Sequence, residues 1–353
     1  MRTRLIQKWL DKWKTKDKAL LIESLSLYIS AGLRVTDALD ATAANMSVRK
    51  KACISRIKTD FEHGRSLSSA LKEEVGLPSS TVGLVACGES SGSLGSALAS
   101  AHYVMERAAD MKSRCLSSMA YPALIGLATS ALTLGLVRGV IPQIEPLLKG
   151  MGTGLPLMTK VVVAFSDAVA SYWLQMIAVA AAAATVAAVA YARSEAAHRA
   201  SQWMLVHIPI AGGAFRRYAL SMLLRSLGVL IDNGMPIDTA YSQAVSEVTI
   251  LGMRSSLLTG LPRVRRGEKL SSIMSAVLPP YASSLISAGE ASGAVGQTII
   301  RAADIMDRDL DQTLKRLSSL MEPMMMLVMG GVVGTVAISI MMPIYDISRA
   351  LQH

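Results

Sequence analysis

The sequence predicts an all-α, polytopic membrane protein with two homologous cytoplasmic helical bundles and three transmembrane helices. Three observations predict it: a long internal repeat, three apolar stretches of bilayer length, and basic charge gathered in two polar regions. The repeat is anchored by Gly88-Glu89-Ser90-Ser91-Gly92, which returns as Gly289-Glu290-Ala291-Ser292-Gly293, an offset of 289 − 88 = 201. Pro78 with Pro279, Pro122 with Pro323, and Pro142 with Pro343 keep that offset. Further upstream it drifts: Gly32 answers Gly234 at 202, and Gly64-Arg65-Ser66-Leu67-Ser68-Ser69 answers Gly267-Glu268-Lys269-Leu270-Ser271-Ser272 at 203. Small gaps of this kind belong in loops. The repeating unit is about 110 residues plus one span, far longer than the units of a solenoid.

The predicted order is as follows. Residues 1–117 form an N-terminal amphipathic segment and the first bundle. Residues 118–192 hold the first span, a periplasmic loop and the second span. Residues 193–320 repeat the bundle, and 321–353 make the third span and a short periplasmic tail. In the opening segment Leu5, Ile6, Trp9, Leu10 and Trp13 recur at helical spacing beside Arg2, Arg4, Lys8, Lys12 and Lys16. That pattern suits a helix on an anionic lipid surface or one capping the first bundle. It lacks the apolar core and cleavage site of a signal peptide.

Within the first bundle Leu20, Ile22, Leu25, Leu27 and Ile29 form an apolar stripe, and Leu33, Val35, Ala38 and Leu39 form the next. They are broken at Gly32, where a helix is expected to end, as at Gly234. Thr36-Asp37 and Ile237-Asp238 are the expected N-caps beyond. Pro78 is expected to open a further helix at its first turn. Nothing reads as a strand, and about six short helices suffice to bury a core from this pattern.

Spans of about 20 apolar residues are expected at 119–141, 174–192 and 323–345. Arg138 lies where a long cation reaches the interface. The stretch 155–170, interrupted by Lys160 and Asp167, is expected to pack at the interface or against a domain. Pro122 and Pro323 are expected to initiate their spans, where a missing N–H costs little. Gly330, Gly331 and Gly334 make a small-residue face suited to close helix packing.

Charge sets the orientation. Residues 1–116 carry 18 Lys and Arg against 12 Asp and Glu, and 193–321 carry 14 against 10. The loop 142–172 holds only Lys149, Lys160, Glu145 and Asp167, which sum to zero. Both basic regions are therefore placed in the cytoplasm and the tail after Tyr345 on the far side.

Composition narrows the function. The chain is 51% hydrophobic with only 5% aromatic residues, and its mean hydropathy is +0.39. A pI near 9.6 without any recognition motif does not make a nucleic-acid binder. Cys53, Cys87 and Cys115 are odd in number and lack ligand spacing, so they read as reduced thiols. His102, His198 and His207 read as surface or interface residues, and no metal or cofactor is expected.

Gly-Glu-x-Ser-Gly lacks the Lys-Ser/Thr of a phosphate loop, and its central residue differs between copies, unlike a nucleophile elbow. The glycines Gly88, Gly92, Gly289 and Gly293 permit tight turns and close helix approach. Glu89 and Glu290 are expected to accept from N–H groups at the start of the next helix. A docking surface, or cation coordination at a subunit interface, remains open beside that reading. A small-molecule transporter would place ionisable groups at mid-span, which these spans lack.

Further residues join the motif: Tyr121-Pro122, Ile141-Pro142-Gln143, Leu155-Pro156-Leu157-Met158-Thr159, Ser166-Asp167, Arg225-Ser226-Leu227, Gly234-Met235-Pro236-Ile237, Glu322-Pro323 and Met342-Pro343-Ile344. Together they resemble the GspF/PilC family, the polytopic inner-membrane platform proteins of type IV pilus and type II secretion systems. The likeness extends over residues 17–348. It implies homo-oligomers at the base of a pilus or pseudopilus, without catalysis. The implied contacts are a cytoplasmic assembly ATPase, pilin or pseudopilin, other inner-membrane components and membrane lipid. The compact chain favours pilus assembly over type II secretion. In the second copy Ala294-Val295 stands where the first has Ser93-Leu94.

Overall fold

The computed structural model describes residues 13–139, Thr185 and 211–350, and among them there is no strand. In the first repeat α1 (Thr15–Ser30), α2 (Val35–Ala44), α3 (Val48–Glu62), α4 (Leu67–Glu74) and α5 (Ser79–Ser91) lead into the long α6 (Leu94–Gly139). In the second, α7 (Ala211–Asp232), α8 (Ile237–Ser246), α9 (Leu251–Leu258), α10 (Leu261–Arg265), α11 (Leu270–Met274) and α12 (Pro280–Ser292) lead into α13 (Val295–Ala350). The series match one to one, except that α3 is answered by two helices. Pro262 is the reason: it sits in the first turn of α10 and has no N–H to donate to the carbonyl of Leu258 four residues back, so α9 cannot run on through it.

The chain divides into two compact units. One comprises Met1–Arg114 and Leu205–Gln312, so both bundles belong to it; the other comprises Cys115–Met204 and Thr313–His353. In the bundle unit Leu21, Leu25, Leu39, Ile54 and Leu71 of the first repeat and Leu224, Leu227 and Tyr241 of the second are fully buried in one continuous apolar cluster. Trp13 belongs to that core, with the Lys50 ammonium 5.7 Å above its ring. Residues 1–12, which carry the rest of the predicted amphipathic segment, lie outside the described residues.

Helices α1 and α7 end where Gly32 and Gly234 take φ of +89° and +84°, a left-handed conformation open to glycine. The turn closes at once, with Leu33 N donating to Tyr28 O and Met235 N to Leu230 O, each at 3.1 Å. So tight a turn starts the next helix early. Arg34 and Pro236 occupy the N-cap positions, and Asp37 and Asp238 lie inside the first turn. The predicted caps are therefore corrected: these carboxylates favour the helix dipole without capping it. Pro78 is itself the N-cap of α5.

In the second unit, α6 and α13 both contain stretches long and apolar enough to cross a membrane. Leu124, Leu127 and Leu327 are 69%, 74% and 77% exposed, as lipid-facing side chains would be. Pro122 lies in the interior of α6 and Pro323 in that of α13, so neither initiates a helix. An interior proline removes the N–H that would meet the carbonyl four residues back. For Pro122 that carbonyl belongs to Ser118, and the Ser318 hydroxyl donates to it at 3.1 Å. A neighbouring helix thus satisfies the group that the proline orphans, which is how spanning helices tolerate proline. Pro343 also falls inside α13. The predicted span 174–192, apart from Thr185, the stretch 155–170 and Pro142 lie outside the described residues.

Candidate functional site

The two repeated motifs meet in space within each bundle. Glu89, near the end of α5, accepts from the N–H of Leu67, from Ser68 N at 3.1 Å and from Ser68 Oγ at 2.5 Å. Glu290 on α12 accepts from Leu270 N at 2.5 Å, Ser271 N at 3.4 Å and Ser271 Oγ at 2.6 Å. Each carboxylate therefore staples the N-terminus of the helix before its own, α4 or α11, where free N–H groups and the dipole favour a negative charge. The expected chemistry is present, but the partner is the preceding helix and not the next one. The order of folding along the chain decides this: α5 doubles back on α4, bringing Glu89 to an earlier helix end.

The glycines serve the same geometry. A Cβ on Gly88 would collide with Ala97 and stand 3.1 Å from Leu94 Cα, and one on Gly289 would collide with Thr298. These are close approaches of α5 to α6 and of α12 to α13. Gly92 and Gly293 end α5 and α12 with φ of +72° and +77°. In α13, Glu322 is exposed, and among the described residues no atom lies within 4 Å of a Cβ built on Gly330, Gly331 or Gly334. No three His, Cys, Asp or Glu among the described residues are placed to hold a metal ion.

A second polar feature, outside the repeated Gly-Glu-x-Ser-Gly motif, crosses between the repeats. Arg225 on α7 is fully buried, yet it donates to Asp304 Oδ1 at 2.8 Å, Asp307 Oδ2 at 2.5 Å and Tyr103 Oη at 2.7 Å. Burial opposes its charge, but the Asp304 hydrogen bond and the Asp307 charge outweigh that and hold its pKa above the ordinary value. Ser221 Oγ also donates to Asp307. Ser100 Oγ donates to Asn233 Oδ1 at 3.1 Å, and Cys87 Sγ to Asn233 O at 3.3 Å. Glu247, just after α8, accepts from Ser80 N at 2.6 Å and Ser80 Oγ at 3.0 Å, holding the first turn of α5.

A cavity of about 260 Å³ opens beside Glu247, and the buried Thr81 lines it with a hydroxyl that has no partner among the described residues. Between the long helices themselves, Arg114 of α6 pairs with Asp311 of α13 at 2.7 Å. Sequence reasoning reached Arg225 only inside a family motif. An arginine amid Leu223-Leu224 and Leu227 was the available hint, because buried charge needs paired partners.

A polar-stapled, duplicated helical bundle joined to apolar helices defines a helical membrane protein without a recognisable catalytic constellation among its described residues. The family model for type II secretion system (T2SS), protein F matches the chain twice, at residues 21–142 and 223–343. The chain belongs to that family, whose two matches coincide with the two repeats, and it is an integral membrane protein of the GspF/PilC type. It is 25% identical over 340 residues to type IV pilus assembly protein PilC of Thermus thermophilus, covering 95% of this chain and 84% of the relative. It is 26% identical to the Myxococcus xanthus protein of the same name, covering 96% and 82%. It is 27% identical to type II secretion system protein F of Pseudomonas aeruginosa, covering 95% and 83%.

Proposed function

We propose that this chain is an inner-membrane platform for assembly of type IV pili, coupling a cytoplasmic assembly ATPase to pilin polymerisation. The observation that carries the reading is family membership along both repeats, with relatives named for pilus assembly. In this reading both bundles, within 1–117 and 193–320, are cytoplasmic. Spans lie in 118–192 and 321–353, and the C-terminus is periplasmic. The platform catalyses nothing and works as a homo-oligomer that transmits force through its spans. The open small-residue face of Gly331 and Gly334 receives another span or the apolar stem of a pilin. Gly331→Leu and Gly334→Leu are expected to reduce piliation, and full piliation of both variants would overturn that contact.

Type II secretion, with pseudopilin in place of pilin, is the second reading, and the Pseudomonas aeruginosa relative favours it. Crosslinking the tagged chain in its membrane, followed by mass spectrometry of the co-purified proteins, tests both. Recovery of an assembly ATPase with a pilin supports the first reading, and with a pseudopilin the second. Recovery of the chain alone, in vesicles that move a solute, would overturn both in favour of a transporter.

A further inference from the structure

The seam between the repeats joins unlike faces. The second repeat contributes one side of α7 and the end of α8, where Arg225, Asn233 and Glu247 reach the first repeat. Val229 lies between Arg225 and Asn233 on that same side, four residues from each. The first repeat contributes α5, through Ser80 and Cys87 and through Gly83, which touches Gln243. A seam between like faces would bury matching residues in both repeats. The offset of 201 to 202 identifies the matches, and they are open.

Val229 is 4% exposed and its match Leu27 is 64% exposed. Met222, which lines the seam cavity, is matched by Leu20 at 49%. On the opposing side Ser80 is 1% exposed and its match Tyr281 36%. Gly83 is buried and Cys87 half-buried, whereas their matches Ser284 and Ala288 are exposed.

Among the described residues, the chain therefore uses each kind of face once and leaves one of each unused: the α1/α2 face of the first repeat and the α12 face of the second. We propose that these two faces dock on each other between copies of this chain, repeating the packing that already joins the repeats within it. The occupant of the α1/α2 face is a second copy, because the same chain carries the counterpart of the surface that covers the equivalent face. Leu20 and Leu27 supply the apolar centre. Asn45 stands where Glu247 holds the start of α5, and asparagine is a strong acceptor for helix N-terminal N–H groups, here those of α12. Glu23 stands in the place of Arg225, and the exposed Arg301 in the place of Ser100, which puts opposite charges on the two faces. Asp304, in the place of Tyr103, is already held by Arg225. Union of unlike faces is head to tail, so it builds a ring or an open helix and not a twofold dimer.

Disulfide trapping of the full-length chain in its own membrane tests this. Ala41→Cys and Ser284→Cys mark the matches of Gln243 and Gly83. Each single variant alone measures what native Cys53, Cys87 and Cys115 contribute. Co-expression of the two single variants is expected to give a crosslinked dimer, and the double variant a ladder of larger species. Leu27→Asp, an exposed change that leaves the core intact, is expected to abolish most of the crosslink. Crosslinking of Ala41→Cys with itself would show a twofold interface and overturn the proposal. So would the absence of any mixed crosslink, or a photo-crosslinker at Leu27 that captures only a different protein.

Discussion

The first and second repeats fold alike and stabilise themselves differently. Both staple the start of their fourth segment with the motif glutamate, but α4 also has Ser66, whose hydroxyl accepts from Ser69 N at 3.4 Å. In α11 the corresponding residue is Lys269, with no side-chain cap. At the matching position on the first helix the second repeat buries Arg225 among two aspartates, while the first carries the half-exposed Glu23. In the second repeat this position, on the interior of the seam, holds a buried ion network, and its twin in the first repeat lies at the surface. Equal sequence positions therefore carry unequal energies.

The largest expected asymmetry lies at that pair. Arg225→Ala leaves Asp304 and Asp307 without their partner and is expected to destabilise the full chain by about 3–5 kcal/mol. Glu23→Ala should stay within about 0.5 kcal/mol. Thermal unfolding in detergent compares them, and equal losses would break the asymmetry argued above.

The staples come next. Glu290→Ala is expected to cost about 2 kcal/mol and Glu89→Ala about 1 kcal/mol, because Ser66 still caps α4 when its carboxylate is gone. Ser66→Ala combined with Glu89→Ala should bring the first repeat to the level of the second.

In the other unit, Ser318→Ala is expected to cost about 1 kcal/mol by stripping the Ser118 carbonyl of its donor. With Pro122→Ala in place the same change should cost almost nothing, since residue 122 regains its N–H. A double-mutant cycle reads that coupling.

The smallest effect is a pH dependence at Glu247. Burial raises its pKa and outweighs the hydrogen bonds from Ser80 and Ser226 that lower it. A carboxyl whose folded pKa exceeds its unfolded one binds more protons when folded, so its contribution is fully present below the unfolded value. It is lost as pH rises from the ordinary glutamate range through the raised one. Glu247→Gln is expected to flatten unfolding curves across that window, and an unchanged pH profile would remove Glu247 from the seam's titration.

Much of this was legible in residues 88–92 and 289–293. The duplication, the helical class and the left-handed glycines at Gly92 and Gly293 follow from local chemistry and spacing. The partner of Glu89 was not legible, because a carboxylate at a helix end can reach the helix on either side. Pro122 looked like a helix start because its N–H loss is harmless there, and only Ser318, on a distant segment, reveals how an interior position is tolerated. Arg225 stood among leucines with no sign of which acids it would meet.

The sequence by itself determined that this protein is two copies of one helical module with apolar helices of bilayer length, and which family it belongs to. Those properties depend on periodicity, hydropathy and repetition, each read along one dimension. Tertiary structure alone decided which copy buries its face and which leaves it open. Leu27 and Val229 are both large and apolar at equivalent positions, and burial depends on what the rest of the chain brings against them.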